Sequence, residues 1–424
     1  MQPRIVQRQN HIISRRSISD DALKVLYRLR ACNHTAYLAG GSVRDMLLGR
    51  EPKDFDVVTD ARPEDCRRIF RNCRLIGRRF RLAHVIFGNR VIEVATFRSG
   101  AEPAAEPAAA EPEAEEIPRH AAAVKSKDGL ILRDNVYGTP EEDAVRRDFT
   151  VNALFYNIAD FTVIDYADGL ADLRRGVIRS IGDPLRRYVE DPVRMIRAVR
   201  FAASLGFAVE TQTHAAIQEC RHNIAMASRA RLYEEILKLF FCGQSVHVCD
   251  LLQETGLLGV LFPELSDWLA GCGGECAARL RRALHHVDNR LRSGHAVRPA
   301  MLFALLFGGL HEARSESLRA AGYPPVGALI AATAEHMSRL VQHMQIPRQV
   351  SVEMQQIMGA QPRFTERRSR NVGRMVRRDS FREALDYFRL SPAGVADPDL
   401  VEWWAQARHE SAHGVRHRHA IHGP

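Results

Sequence analysis

Residues 36–59, AYLAGGSVRDMLLGREPKDFDVVT, decide the fold of the N-terminal part of the chain. Ala36 to Ala39 read as a strand, Gly40-Gly41 as a tight turn, the residues after it as one short helix, and Gly49 as the glycine just past its end. A glycine turn entering a helix lets backbone N–H groups approach a phosphate closely, although an ordinary tight turn has the same appearance. Lys53 to Thr59 then alternate as a strand does, which places Asp54 and Asp56 on one face and Phe55 and Val57 on the other. Two neighbouring carboxylates repel, and a divalent cation between them relieves the repulsion; a solvated edge strand is the bland reading.

Further along, Val85 to Phe87, the turn Gly88-Asn89 and Val91 to Thr96 predict a β-hairpin. Glu93 shares its face with Val91 and Ala95 between apolar neighbours, so its charge needs a partner, either a metal ion or an arginine such as Arg98. Arg146 to Leu154, RRDFTVNAL, read as charged residues leading a helix with Asp148 near its start. In EDPVR, Asp191 suits a helix cap and Pro192 the first turn, after which Arg194, Arg197 and Arg200 recur every third residue as a cationic line. Residues 67–81 carry seven arginines and no acid, with Phe70 and Phe80 interleaved, and Arg363, Arg367, Arg370, Arg374 and Arg377 would line one helix face. Stripes of arginine without acids suit an RNA backbone better than a merely solvated face.

The 424 residues are enough for two to four domains, and 46% hydrophobic with 26% charged residues excludes wholesale disorder or a fibrous body. Lys and Arg outnumber Asp and Glu by 60 to 51, which favours a polyanionic partner. The eight cysteines contain no CxxC pair and read as reduced, mostly core thiols. No apolar leader opens the sequence, and its longest apolar stretch, Ala300 to Leu310, is too short to cross a bilayer, so a cytoplasmic protein is expected. Strand-like runs give way to helical periodicity from about residue 185. The Ala/Glu/Pro tract at 101–125 has six Glu in its first sixteen residues and reads as a disordered insertion, as does the His/Arg tail at 406–424.

GGSVRD, KDFDVVT, RRDFTVNAL and EDPVRMIRAVRF, in this order and spacing, resemble the class II template-independent nucleotidyltransferases, which comprise bacterial poly(A) polymerases and CCA-adding enzymes. LIGRRFRLAHVIF at 75–87, followed by IEVATFR, resembles the bacterial poly(A) polymerase I branch. The resemblance covers residues 10 to 265 well and the later helices weakly. It implies an α+β nucleotidyltransferase palm, with a mixed, mostly antiparallel sheet, at 1–160. An all-helical neck at 161–265 and a helical body and leg at 266–405, both RNA-binding, would follow. It also implies ATP as substrate, RNA 3′ ends as acceptor, two Mg2+ ions and a link to RNA decay. Residue by residue, Asp54 and Asp56 match the metal-binding pair, with Glu93 as a third acid. Gly40, Gly41, Ser42 and Arg44 match the triphosphate turn, and Arg147, Asp148 and Asn152 the ribose and catalytic pocket. Asp191 and Arg194 match the base-reading pair. Arg78, Arg79, Arg197, Arg200, Arg367, Arg370 and Arg374 are the expected RNA contacts. A CCA-adding enzyme shares the head motifs; a noncatalytic RNA-binding palm or an antibiotic-modifying nucleotidyltransferase fits the carboxylates or the arginine stripes less well.

Overall fold

The computed structural model describes residues 2–77, 81–99, 124–125, 131–133, 136–365 and 372–412. They fall into two units, Met1–Asn223 and Ile224–Pro424. The first is built on a sheet with strands β1 (Arg4–Val6), β2 (Ala36–Ala39), β3 (Asp56–Thr59), β4 (Cys73–Ile76), β5 (Leu82–Phe87) and β6 (Arg90–Thr96). After a separate small pair, β7 (Val124–Lys125) and β8 (Ile131–Arg133), the chain returns to it with β9 (Leu154–Asn157) and β10 (Val163–Asp165). The order is β1-β10-β9-β2-β3-β6-β5-β4, and each pairing is antiparallel except β3 with β6. The expected mixed, mostly antiparallel palm is therefore what these residues form. A boundary at 160 falls inside the β9–β10 hairpin.

The parallel step matters most, because its register sets Asp56 opposite Glu93. Antiparallel partners can follow a two-residue turn, whereas a parallel one needs a crossover. Here α3 (Pro63–Ile69) and the strands β4 and β5 supply it, after α1 (Asp20–Ala31) and α2 (Gly41–Leu47). One face of the sheet buries Val25, Leu26 and Leu29 of α1. On the other, Ala39, Val58, Phe97, Ala144, Ala153, Phe155, Ile164 and Ile181 form one apolar cluster beneath the candidate site.

Between β6 and α4 (Pro140–Val145) the two ends of the inserted stretch are tied together. The Ser99 amide donates to the Val136 carbonyl and the Gly138 amide to that of Phe97, both at 2.9 Å. The Ser99 hydroxyl reaches Glu142 at 3.0 Å. After β10, α5 (Gly169–Arg175) starts on the Asp165 carboxylate, which accepts the amides of Ala167, Gly169 and Leu170 at 2.9–3.0 Å. Helices α6 (Pro184–Glu190) and α7 (Val193–Leu205) complete the surroundings of the site. Asp191 ends α6 and Pro192 occupies the cap position of α7, so Asp191 joins two helices instead of capping one with its side chain.

The second unit is helical, as the periodicity predicts. Ala300 to Gly309, inside the 22-residue helix Pro299–Ala320, are all buried, so the apolar stretch is a core helix. Among the described residues no helix is long and apolar enough to cross a membrane. Two expectations need correction. Cys272 and Cys276, one helical turn apart with Cα atoms 5.9 Å apart, form a disulfide, so not every cysteine is a reduced core thiol. The arginine stripe at 363–377 is not one helix: Arg348–Phe364 ends at Thr365, Arg374 lies exposed in a separate helix, Val372–Val376, and the residues between lie outside the described set. Pro362, inside the last turn of Arg348–Phe364, lacks the N–H a continuing helix needs.

Gly169 packs directly beneath the residues that carry the site: a Cβ there would sit 2.2 Å from the Thr150 carbonyl oxygen. Gly169→Ala should lower unfolding stability by about 1–3 kcal/mol in a denaturant titration, since backbone is what must give way.

Candidate active site

The site is assembled where β2 turns into α2. Gly40 has φ +68°, and a Cβ on it would lie 3.0 Å from Nη1 of Arg147, so a glycine is required here twice over. Its amide donates to the Leu154 carbonyl at 3.0 Å, which pins the turn to β9. Gly41 is under no such demand, as its Cβ would meet only Arg44 at 3.7 Å. The Ser42 hydroxyl is buried and donates back to the Ala39 carbonyl at 3.2 Å. It shapes the turn from within.

Next to the turn, β3 begins at Asp56, not at Lys53 as the alternation predicts: Lys53 sits in a bend and Asp54 stands before the strand, because β2 offers no partner beyond Ala39, opposite Asp56. Asp54 is exposed; Asp56 reaches solvent on one side but is crowded by protein on its others, and Asp54 is close enough to raise its pKa. Asp56 is pushed up to about 6, first by loss of hydration, then by Glu93 across the parallel pair, with Arg147 opposing. Glu93 itself lies 3.5 Å from Nε2 of His84, its register partner on β5, so histidine stands where sequence reading offered Arg98. Asp56 and Glu93, on the adjacent central strands β3 and β6, and Asp54 just before β3 concentrate negative charge in one region, where Asp56 resists ionisation. Among the described residues no group of three His, Cys, Asp or Glu is itself close enough to hold a metal ion. Magnesium commonly takes one or two carboxylates and fills the remaining positions with water and phosphate oxygens.

Behind this acidic region lies a buried network. Residues 146–154 do not start a helix; a single 3-10 turn at Thr150–Asn152 leads into β9. That turn brings Asp148 and Asn152 together, the Asn152 amide donating to Asp148 Oδ1 at 3.1 Å. Arg197 of α7 donates to Oδ2 of Asp148 through Nε at 2.8 Å and lies 2.7 Å away through Nη2. Burial alone would raise the Asp148 pKa, yet the Arg197 charge and the bonds from Asn152 and Arg197 hold it well below the carboxylate range. Arg44 closes the chain, donating to Asn152 Oδ1 at 2.6 Å and to Asp45 Oδ1 at 2.8 Å. Arg147 is clamped by Asp143 at 2.8 Å and donates to the Asn152 carbonyl at 3.3 Å.

Arg194 reaches the carbonyls of Arg187 and Arg146 at 3.4 and 3.5 Å and lies 3.7 Å from Glu190 and 4.0 Å from Asp191. The expected pair is thus together, in a frame stiffened by Arg187, which bonds the carbonyls of Arg146 and Arg147. Burial, then Arg194, pulls the pKa of Arg187 down to about 10. Arg194, Arg197 and Arg200 are half-buried, as are Phe201 and Ser204, while the other residues of α7 are buried. Arg197 is engaged with Asp148, and Arg200 lies against the Phe201 ring, 4.7 Å from its centroid. Arg78, Arg79, Arg367 and Arg370 lie outside the described residues. Sequence reading missed Asp143, Arg187 and His84. Only Asp143 carried a local signal, standing one helical turn before Arg147.

The fold and this arrangement have relatives. Residues 36–179 match the family model described as the poly A polymerase head domain. Residues 206–269 match a model described as a probable RNA- and SrmB-binding site of polymerase A, and 321–422 one described as its arginine-rich C-terminus. A poly(A) polymerase I of Salmonella typhi is 41% identical over 95% of this chain and 85% of its own length. The chain belongs to the poly(A) polymerase I family. A CCA-adding enzyme of Leuconostoc mesenteroides is 34% identical over 58% of this chain and 56% of its own. The solved Bacillus stearothermophilus CCA-adding enzyme, in complex with CTP, superposes with TM-score 0.59 at 27% identity over 91% of this chain and 82% of that one. The poly(A) polymerase I likeness therefore runs through the C-terminal helices, where motifs are sparse, while the CCA-adding sequence likeness covers little more than half of the chain.

Asp56 and Asp148 should respond oppositely to neutralisation. Asp56 titrates higher in the folded chain, about 6, than at its ordinary 3.8, so its ionisation costs stability as pH rises through that interval. Asp56→Asn should raise the melting temperature at neutral pH and match the parent near ~pH 3.5. Asp148 titrates below its ordinary value, so its contribution is present above that value and is lost only as pH falls through the lowered one. Asp148→Asn should destabilise at neutral pH by about 3 kcal/mol, leaving Arg197 half-buried without its acid; thermal melts across pH check both signs.

Proposed function

We propose that this protein adds AMP from ATP to RNA 3′ ends without a template, as a polynucleotide adenylyltransferase. The observation that carries this reading is the acidic region of Asp54, Asp56 and Glu93 beside the Gly40 turn, in a chain whose poly(A) polymerase I likeness is nearly full-length. The acceptor 3′-hydroxyl attacks the α-phosphorus of ATP in line, a new P–O bond forms, and pyrophosphate leaves. Asp54 and Asp56, with Glu93 beside them, would hold magnesium, which lowers the pKa of the attacking hydroxyl and balances charge on the departing oxygens when bound.

The other residues supply position. In this reading the Gly40-Gly41 backbone cradles the triphosphate, while Ser42 and Arg44, bonded inward, fix the shape of that cradle. Arg147 and Asn152 face the ribose, and Asp148 keeps Asn152 aimed. Asp191 and Arg194 offer one acceptor and one donor edge to the incoming base. Because Glu190 and the Arg146 and Arg187 carbonyls restrain Arg194, the pair presents a preset edge, a condition for choosing among bases without a template. We further propose that the regions after 160 carry the RNA, through exposed arginines such as Arg374, that the enzyme works in the cytoplasm, and that the added tails mark RNA for decay.

Incubation with magnesium, each triphosphate separately and an oligoadenylate primer should give long extension with ATP alone. Addition of C, C and A to tRNA lacking its terminal triplet would instead select the CCA-adding reading, and no incorporation would sink both. Asp54→Asn and Asp56→Asn should each lose at least ~100-fold in kcat while staying folded. Arg194→Ala should raise the KM for ATP or relax discrimination; unchanged selectivity among the four triphosphates would remove Arg194 from base recognition.

A further inference from the structure

Phe201 is the residue of α7 on which the buried network converges. The guanidinium carbons of Arg44 and Arg197 each lie 5.2 Å from its ring centroid, and that of Arg200 lies 4.7 Å away. Phe149, the neighbour of Asp148, meets the same ring edge-on at 5.8 Å. Three positive groups drawn around one point repel one another, and the acids described at Arg44 and Arg197 are Asp45 and Asp148. The negative face of an aromatic ring attracts guanidinium groups and is a rigid surface for them to lie against, and both effects strengthen where water is excluded.

What those arginines do next gives the ring its meaning. Arg44 passes its hydrogen bond to Asn152, Arg197 to Asp148, and Asn152 to Asp148, so both arms of one polar pair lean on one ring. Arg44 comes from the Gly40 turn and Arg197 from α7, more than 150 positions later. The ring is therefore where the phosphate-facing turn and the helix carrying the base-facing residues are brought into register. We infer that Phe201 is a positioning residue for the nucleotide pocket, its ring holding Arg44 and Arg197 so that Asn152 and Asp148 are aimed together. This rests on the proposed nucleotide-facing role of Asp148 and Asn152.

The test compares Phe201→Leu and Phe201→Met, which keep apolar bulk and remove the π face, with Phe201→Tyr, which keeps it. ATP affinity is measured by calorimetry with magnesium, alongside KM values for ATP and for an oligoadenylate primer. The leucine and methionine variants should bind ATP roughly tenfold more weakly, tyrosine should stay within about twofold, and the primer KM should not move. A merely structural role would lower the melting temperature and the active fraction without shifting ATP affinity. ATP affinity within about twofold of the parent in the leucine variant would overturn the inference, as would failure of both leucine and methionine variants to fold. A parent that binds ATP but extends no RNA would refute the proposed activity, while the affinity series would still decide the role of Phe201.

Discussion

A buried carboxylate has to be accounted for before anything else in the first unit can be understood. Asp148 has lost most of its water, and what replaces it comes from the Asn152 side-chain amide four residues on and from the Arg197 guanidinium on α7, far along the chain. Removing either would leave charge stranded in a place that cannot solvate it, so the 148–152 turn and α7 are obliged to stay together. Through Asn152 the obligation extends to Arg44, and through Arg44 to the Gly40 turn. Neutral packing would hold these elements less specifically, because an apolar contact tolerates sliding whereas a bidentate charge pair fixes distance and direction.

The two acid groups illustrate opposite uses of the same residue type. Asp148 is surrounded by donors and is at ease as an anion. Asp56 has Glu93 and Asp54 for company, with Arg147 opposing them, and its raised pKa means that the folded chain holds its charge at a cost. Such a cost is tolerable because the rest of the sheet supplies ample buried apolar surface beneath it.

Much of this was legible because the signals were local. The strand, glycine turn and helix at 36–49 and the hairpin around Gly88-Asn89 are set by residues adjacent in sequence, and they appear as read. Local reading failed where tertiary partners decide. RRDFTVNAL looks helical until Arg197 draws Asp148 inward and the backbone enters β9 instead. For the arginines of α7, every-third spacing states which face they share but not what that face meets, which includes Asp148 for Arg197 and the Phe201 ring for Arg200. The closeness of Glu93 to Asp56 was expected only through the family resemblance; the register of a parallel pair is written in no single segment. His84 was invisible for the same reason, since its importance comes wholly from lying across from Glu93.

The tie between Ser99 and Val136, reinforced from Phe97 to Gly138, brings the departing and returning chain side by side before α4 begins. For a flexible loop, the entropy of closing such a tie rises by only about 0.6 kcal/mol for each doubling of the length between its ends. A tether or module grafted between those ends would therefore cost little in closing the tie itself, which makes this junction the natural place to lengthen the chain.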